Sequence, residues 1–200
     1  EAADYHELTP FFYPRLKDCG AVIPEEVTAS LRHRYYYAIA GNLRKDAEFR
    51  RIARGFRRED IALLPVKGAA LLNDIYDGSL IRPMSDIDVL VKEKDIAMAR
   101  DILYNLGYRM ELLGMEEGYW CRSQCHLTFS RSGPEDFPCI VELHWGLDFK
   151  RTTGPILPRL WERTRNVRTQ GEHITLLSPE DTFFSLALHK RRFGRVLSLK

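Results

Sequence analysis

Hydrophobic residues in the first third of the chain recur at helical spacing. Two groups with this spacing are Leu31, Tyr35 and Ala38, then Phe49, Ile52 and Phe56. Pro24 followed by two glutamates suits a helix N-terminus, because proline costs little in the first turn and acidic side chains oppose the helix dipole. The pattern predicts a mostly helical segment from about Glu25 to about Arg58, in which Gly41 and Asn42 allow a bend or a break.

Beyond residue 60 the pattern changes to short apolar runs that alternate with short amphipathic segments. "IALLPV" predicts a strand, and its Pro65 requires a position at the end of the strand or at the edge of a sheet. "KGAALLNDIY" predicts a glycine turn that opens a short helix, and "SDIDVLV" is the clearest strand. A helix from Ile96 to Leu106, closed by Gly107, follows. "CHLTFS" and "CIVELHW" predict an antiparallel hairpin, because the turn-rich "RSGPEDFP" lies between them. We interpret the segment from "PILPRLWERT" onward as loops and helices, with Ser178 capping the last helix.

The composition is that of a globular protein, since 44% of the 200 residues are hydrophobic and the formal net charge is +2. A nearly neutral chain predicts neither nucleic-acid nor membrane binding, and we interpret its arginine-rich stretches as solvated helix faces. No apolar run approaches the ~20 residues of a membrane helix, and no secretory signal is visible. We therefore expect a cytoplasmic protein. The sequence begins with Glu1 and stops without a helix-ending signal, which leaves open that both ends are trimmed.

The four cysteines, Cys19, Cys121, Cys125 and Cys139, form neither a CxxC pair nor a disulfide framework. The segment "CRSQCH" offers Cys121, Cys125 and His126 as zinc ligands, but no second ligand pair at zinc-finger spacing accompanies it. Reduced thiols are therefore the preferred interpretation. His126 is treated as a packing residue.

Two aspartates interrupt the apolar strand "SDIDVLV". Alternate side chains of a strand share a face, so Asp86 and Asp88 are expected to point to the same side. An ionised carboxylate is costly to bury unless it is paired or binds a metal, and Mg²⁺ prefers oxygen ligands. "IVELHW" supplies a third acid, Glu142, with His144 on the same face. The three acids predict a site for Mg²⁺ or Mn²⁺, while His144 could orient Glu142, contact a nucleotide or bond to the backbone.

The turn in "VKGAAL" has the features of a phosphate-binding site. Unpaired N–H groups and the dipole at a helix N-terminus favour anions. Gly68 provides the turn, and Lys67 is an adjacent mobile cation. Lys67 and Arg82 are the predicted phosphate contacts, with ordinary solvation in a loop as the alternative for each.

The succession "KGAAL", "RPMSDIDVLV" and "VELHW" resembles an uncharacterised bacterial nucleotidyltransferase family of the polymerase beta superfamily, whose members occur beside exopolysaccharide and lasso-peptide biosynthesis genes. The resemblance implies an α+β fold: a polymerase-beta-like mixed sheet with helices packed on one side, plus N-terminal and C-terminal helical segments. We expect a helical segment at 1–58, a catalytic core at 59–150 and a mainly helical segment at 151–200.

The resemblance also implies roles by position. Asp86 and Asp88 match the metal-binding pair, Glu142 the third acid, and Gly68 the glycine that approaches the triphosphate. Ala69 stands where the superfamily usually has Gly or Ser, so one possible phosphate contact is missing. The nucleotide-binding candidates are Lys67, Gly68, Ala69, Arg82 and Ser85.

The implied function is Mg²⁺-dependent transfer of a nucleoside monophosphate from a triphosphate, with ATP as the expected donor, to a hydroxyl or similar acceptor by a two-metal in-line mechanism. The acceptor could be a small molecule, a sugar, a peptide or a protein; neither a membrane nor a nucleic acid is expected. One alternative, favoured by Ala69, is an inactive protein of the same fold that binds nucleotide or a partner. The other is a DxD glycosyltransferase, which ordinarily needs more alternating strands and helices before its motif.

Overall fold

The computed structural model describes residues 8–20, 22–76, 79–112, 114, 116, 118, 124–133, 138–148 and 154–193. Its helices are α1 (Thr9–Asp18), α2 (Glu25–Arg58), α3 (Lys67–Asn73), α4 (Ile96–Asn105), α5 (Leu157–Glu162) and α6 (Pro179–Phe193). Its strands are β1 (Leu64–Pro65), β2 (Ile87–Leu90), β3 (Arg109–Met110), β4 (His126–Arg131), β5 (Cys139–His144), β6 (Arg165–Thr169) and β7 (Glu172–Leu176). Cys121 of the candidate zinc motif lies outside the described residues.

The long helix α2 runs without interruption through the position of the predicted break. Asn42 is buried there, and its side-chain amide donates to the backbone oxygens of Leu80 and Arg82 at 2.6 Å each. The apolar face of the helix outweighs the cost of Gly41, which is only about 1 kcal/mol in a helix interior. No helix among the described residues, α2 included, is both long enough and apolar enough to cross a membrane.

Five strands of the described residues form one sheet in the order β1-β2-β5-β4-β3. Strands β2 and β5 run parallel, while the other neighbouring pairs are antiparallel. Pro65 lies in the edge strand β1, where a residue without an N–H is tolerated, as predicted. The predicted hairpin is β4 and β5. The α+β fold built on a mixed sheet is therefore confirmed.

One face of the sheet packs against α2 and α4. Alternate strand residues, among them Val89, Val141 and Phe129, share a hydrophobic core with Phe56 of α2 and Leu103 of α4. All five are 0% exposed. Burial of each of the large side chains stabilises the fold by about 1.5–3 kcal/mol, so this helix-covered face anchors the sheet.

The opposite face of the sheet carries polar side chains beside a small apolar cluster. Strand alternation places Asp88 and Leu90 of β2 on this face. Leu90 packs against three leucines, Leu64 of β1, Leu160 of α5 and Leu177. Asp88, two residues before Leu90 in the strand, lies among the polar side chains of this face.

The interpretation of the C-terminal part as loops and helices was wrong for one hairpin of two strands. Strands β6 and β7 form an antiparallel hairpin, turned at Gln170 and Gly171 with φ of +48° and +82°. Ile174 and Leu176 of β7 join the main core. The strands are short and mostly polar, so packing against the core decides their conformation. Ser178 caps α6 as predicted, since its Oγ accepts a hydrogen bond from the Asp181 N–H at 3.1 Å.

A buried polar network joins α2 to α3 and to this hairpin. The Arg50 guanidinium donates to Asp46 Oδ2 at 2.8 Å, to Asn73 Oδ1 at 3.3 Å and to the Thr169 backbone oxygen at 3.4 Å. Apolar and polar contacts thus connect the N-terminal helix, the sheet and the C-terminal hairpin. Boundaries at residues 58 and 150 stay a prediction.

Candidate active site

Strand register brings two carboxylates together on the polar face of the sheet. Asp88 in β2 pairs with Glu142 in the parallel strand β5, and neighbouring strands lie about 4.8 Å apart. Asp88 is 2% exposed, whereas the Glu142 side chain is 22% exposed. Two acids that are distant in the sequence therefore stand side by side.

Two basic side chains satisfy these carboxylates. Lys67 Nζ lies 2.6 Å from Asp88 Oδ1 and 3.2 Å from Glu142 Oε2. His144 Nε2 lies 2.9 Å from Asp88 Oδ1 and 3.2 Å from Glu142 Oε2. Of the alternatives open for His144, the structure shows the contact to Glu142 and adds one to Asp88.

Lys67 reaches the acids from the first residue of α3. Its φ is +50°, a left-handed backbone angle that costs a residue other than glycine about 1–2 kcal/mol. The hydrogen bonds of its ammonium group to the two carboxylates offset that cost. The prediction that Gly68 makes the turn was wrong, because the left-handed residue is Lys67.

Gly68 is needed for close packing. A Cβ at this position would lie 2.9 Å from Arg82 Nη1 and 3.0 Å from the Met84 side chain, so a larger residue would displace both. The structure thus places Gly68 and Arg82, two of the nucleotide-binding candidates, against each other at the start of α3.

Arg82 lies in the segment that leads into β2. The side chain of Asn42 in α2 holds this segment by its hydrogen bonds to the backbone oxygens of Leu80 and Arg82. Its Nη1 donates to the Pro83 backbone oxygen at 3.3 Å. Its Nε is buried and has no hydrogen-bond partner among the described residues. A buried donor without an acceptor costs about 1–3 kcal/mol, so this guanidinium retains capacity for an anionic ligand. Sequence reasoning missed Asn42, whose signal is an amide side chain in the middle of a continuous helix.

Ala69 and Ser85 lie in opposite environments. The Ala69 methyl is buried in the hydrophobic core, so a serine hydroxyl there would point away from a ligand. The Ala69 N–H stands in the first turn of α3, where backbone donors have no acceptor within the helix. Ser85 is exposed, and its hydroxyl hydrogen-bonds to Asp86. The loss of a phosphate contact at position 69 stays a prediction.

Asp86 lies at the margin of the carboxylate pair. It immediately precedes β2, and the donor atoms that lie within 4.8 Å of one another belong to Asp88, Glu142 and His144. Burial, followed by the negative charges of Asp88 and Glu142, raises the pKa of Asp86. Asp86 thus interacts electrostatically with both acids, but its carboxylate is not one of the donor atoms that lie within 4.8 Å of one another.

The charges within this group support one another. Burial alone would raise the pKa of Glu142, but the hydrogen bond from His144 and the charge of Lys67 hold it well below its usual range. Burial opposes the charged form of His144, yet hydrogen bonds with Asp88, Cys125 and Glu142 raise its pKa to about 10. The site therefore balances two carboxylates with an ammonium and an imidazolium group.

Cys125 and His126 border this group, and neither was predicted to do so. Burial alone would raise the pKa of the Cys125 thiol, but hydrogen bonds with His126 and His144 lower it to about 6. His126 Nε2 lies 3.8 Å from Glu142 Oε1. His126 packs against the His144 ring, with centroids 5.0 Å apart, because strand alternation gives the two residues the same face.

His189 of α6 was also missed. Burial, together with the positive charge of nearby Lys67, lowers its pKa, while Asp88 and Glu142 act in the opposite sense. No local pattern separates this histidine from an ordinary helix-surface residue. Only the packing of α6 next to α3 reveals it.

Comparison with known proteins agrees with these features. Residues 1–195 match a protein family described as uncharacterised nucleotidyltransferase. The chain belongs to this family. The resemblance noted from "KGAAL", "RPMSDIDVLV" and "VELHW" is thereby confirmed, although no curated protein matches the sequence.

Two solved structures are similar to this nucleotidyltransferase-family chain. One, from Thermotoga maritima and described provisionally as a nucleotidyltransferase, is 15% identical with a TM-score of 0.47, over 73% of this chain and 84% of its own. The other is an antigenic nucleotidyltransferase-like protein from Paracoccidioides brasiliensis, 16% identical with a TM-score of 0.49, over 76% of this chain and 69% of its own.

The donor set in this family member fits a hard divalent cation. Asp88 and Glu142 offer carboxylate oxygens within 4.8 Å of each other, whereas the charged His144 offers a nitrogen only after it loses a proton. Carboxylate oxygens suit Mg²⁺ and Mn²⁺. The Lys67 ammonium bonds to these same oxygens. A cation bound by Asp88 and Glu142 therefore has to compete with Lys67.

Proposed function

We propose that the protein is a Mg²⁺- or Mn²⁺-dependent enzyme that moves a nucleoside monophosphate from a triphosphate, with ATP as the expected donor, to a hydroxyl or similar acceptor. The main supporting observation is the pairing of Asp88 with Glu142 beside Lys67 and Gly68. Largely buried carboxylates require compensating positive charge. A divalent cation that arrives with a triphosphate meets that requirement.

In this proposal Asp88 and Glu142 hold the cation, and Asp86 completes the set from the margin of β2. When bound, one or two such ions neutralise phosphate charge and lower the pKa of the acceptor hydroxyl. The acceptor hydroxyl gives its proton to solvent and its oxygen bonds to the α-phosphorus, while the bond to pyrophosphate breaks in line and pyrophosphate leaves. Because hydrogen bonding holds the pKa of Glu142 below its usual range, this residue serves better as a ligand than as a proton acceptor.

The phosphate groups are assigned to the start of α3 and the adjoining segment. Gly68 leaves room for the Arg82 guanidinium beside the start of α3, and the N–H groups of the first turn favour anions. Arg82, whose Nε lacks a partner among the described residues, contributes a fixed positive charge. Lys67, once displaced from the carboxylates, adds a second. Ser85 lies beside Asp86 and completes the proposed nucleotide-binding residues.

A second function is favoured by one observation. Lys67 and His144 already neutralise Asp88 and Glu142, so the site is electrostatically satisfied by its own side chains. A protein that binds nucleotide or a partner without turnover needs no metal ion to neutralise these carboxylates. The glycosyltransferase alternative receives no support from the family assignment.

Calorimetric titration tests the donor assignment. We expect ATP, GTP, CTP or UTP to bind in the presence of Mg²⁺, and binding to be lost in Asp88→Asn and in the double variant Asp86→Asn/Asp88→Asn. Asp101→Asn is the matched control, because the Asp101 side chain is 58% exposed on α4. The donor assignment fails if folded wild-type protein binds none of the four with Mg²⁺ or Mn²⁺, or if Asp88→Asn binds as the wild type does.

Pyrophosphate release separates the two functions. The enzyme releases pyrophosphate and adds a nucleotidyl group, detectable by mass spectrometry, to itself or to added hydroxyl compounds. Glu142→Gln should lower release by about 100-fold or more while the protein stays folded. Metal-dependent nucleotide binding without release under any of these conditions supports the non-catalytic function.

We further propose that the protein acts in the cytoplasm, with a nucleoside triphosphate and a separate acceptor as its partners. The acceptor class remains a small molecule, sugar, peptide or protein. The net charge of +2 supports the expectation that neither nucleic acid nor membrane is a partner. Gel-shift and vesicle-sedimentation assays test that expectation.

A further inference from the structure

A thiol and two imidazoles converge beside the carboxylate pair. The register of β4 and β5 pairs His126 with His144, and their ring centroids are 5.0 Å apart. Cys125 immediately precedes β4, and its Sγ lies 4.0 Å from His126 Nδ1. One donor atom from each of the three residues lies within 4.8 Å of the other two. Its sulfur and nitrogen donors distinguish this group from the carboxylate pair, which His144 also contacts. His144 gives a proton to solvent when it binds a metal.

We propose that Cys125, His126 and His144 bind a zinc ion. One sulfur and two imidazole nitrogens are ligands that zinc prefers, whereas Mg²⁺ takes oxygen. Tetrahedral coordination with ordinary bond lengths places sulfur and nitrogen about 3.5 Å apart. The Sγ–Nδ1 distance of 4.0 Å is only about half an ångström longer. All three donor–donor distances are below 4.8 Å, so side-chain rotations that shorten each of them by about 1.5 Å or less close the site around the ion.

The carboxylates are arranged as an outer shell for these histidines. A zinc-bound histidine usually directs its second ring nitrogen to a carboxylate or backbone oxygen, which orients the ring and raises its basicity. His126 has its Nδ1 towards Cys125 Sγ and its Nε2 3.8 Å from Glu142 Oε1. His144 has its Nε2 2.9 Å from Asp88 Oδ1. His144 is thus held in the manner of a metal ligand, while His126 lies near Glu142 at a distance longer than a hydrogen bond.

Burial and access also suit an ion site. Cys125 and His144 are 3% and 5% exposed, which limits competition from bulk water. Cys125 lines a cavity of about 810 Å³ together with Trp145 and Asp148, so an ion can reach the thiol from this side. Three protein ligands leave a fourth position for water or another ligand.

Metal titrations of the metal-free full chain test the proposal. Calorimetry measures the binding of Zn²⁺, and absorption spectroscopy measures the binding of Co²⁺. We expect one Zn²⁺ per chain and a cobalt–thiolate charge-transfer band. Cys125→Ser should remove the band and weaken zinc binding by more than about 100-fold, since changes in the outer shell alone cost 10–100-fold. His126→Asn should weaken binding while the band remains.

Cys139→Ser is the matched control, because the Cys139 thiol lies 3.5 Å from the Tyr108 hydroxyl, at the far end of β5 from His144. It should bind zinc as the wild type does. The proposal is overturned if wild-type protein shows no stoichiometric zinc binding, if the Cys125 and Cys139 variants bind alike, or if only Cys121→Ser removes the band. Should Cys125→Ser fail to fold, unchanged affinity in His126→Asn overturns it. No arm contains nucleotide, so the result is independent of the proposed function.

Discussion

Replacement of Lys67 by methionine is the sharpest test of the site's electrostatics. The substitution keeps the aliphatic stem and removes the ammonium group that bonds to Asp88 and Glu142. Two carboxylates then share the basic group of His144. We expect the variant to be less stable without divalent cations and to gain more stability from Mg²⁺ than the wild type does.

The magnitude follows from burial. The side chains of Lys67, Asp88 and Glu142 are 18%, 3% and 22% exposed. Breaking a buried ion pair costs about 3–5 kcal/mol, and we take the lower end, about 3 kcal/mol, because Lys67 and Glu142 are partly exposed and His144 still contacts both acids. For a chain of 200 residues this lowers the melting temperature by about 6–12 °C.

The assay is thermal and urea unfolding of both proteins, first with chelator and then across a Mg²⁺ series. A ligand stabilises the folded state in proportion to the logarithm of its concentration over its dissociation constant. Loss of the competing ammonium should lower that constant, so the Mg²⁺-dependent rise in stability begins at lower concentration in the variant.

Arg54→Met is the control. Arg54 Nη1 lies 2.9 Å from Glu172 Oε1, but the two side chains are 49% and 28% exposed. Loss of such a surface pair should cost about 0.2–1 kcal/mol and leave the Mg²⁺ response unchanged. The reasoning is refuted if Lys67→Met is as stable as this control, or if Mg²⁺ stabilises Lys67→Met no more than the wild type.

Three further outcomes are expected. In urea unfolding, Gly41→Ala, whose Cβ would meet only Lys45 Nζ at 3.6 Å, should stabilise by about 1 kcal/mol. In Gly68→Ala, overpacking against Arg82 and Met84 costs about 1–3 kcal/mol and cancels or exceeds the same gain, so this variant should be less stable than Gly41→Ala by about that amount. Burial would raise the pKa of Glu48, but hydrogen bonds from Tyr108 and Arg51 lower it below 4.5. The ionised Glu48 carboxylate therefore stabilises the folded protein fully above about pH 4.5, and this stabilisation is lost as the pH falls through the lowered pKa. Between about pH 5 and pH 3 the wild type should therefore lose more stability than Glu48→Gln in urea unfolding. Leu176→Ala should cost about 2–5 kcal/mol in thermal unfolding, and Thr175→Ala, on the other face of β7, much less; equal effects would exclude this packing of the hairpin.

Local patterns predicted most of the elements. Apolar spacing identified α2 and α4, the left-handed Gly107 closes α4 with φ of +85°, and turn-rich residues between two apolar runs identified β4 and β5. These signals succeed because they depend on neighbours within one or two turns. The hairpin of β6 and β7 failed because its strands are short, mostly polar and stabilised by contacts with distant core residues.

The candidate site was predicted in its residue types and only partly in its arrangement. Asp88 and Glu142 do converge. Lys67, expected to contact phosphate, bonds instead to the two acids, while Asp86 stands at the margin. Side-chain partners across the sheet cannot be deduced from spacing, since they depend on which strands become neighbours and in which register.

The sequence by itself determined the family, the α+β class and the three acids, because these depend on residue identity and local periodicity. Tertiary structure decided that Asp88 pairs with Glu142, that Lys67 neutralises them, and that Cys125 and His126 stand beside His144. The physical reason is that the parallel pairing of β2 with β5, and the packing of α3 at their edge, are set by burial of the common core. A single register shift would send the polar side chains to the core face and destroy the site.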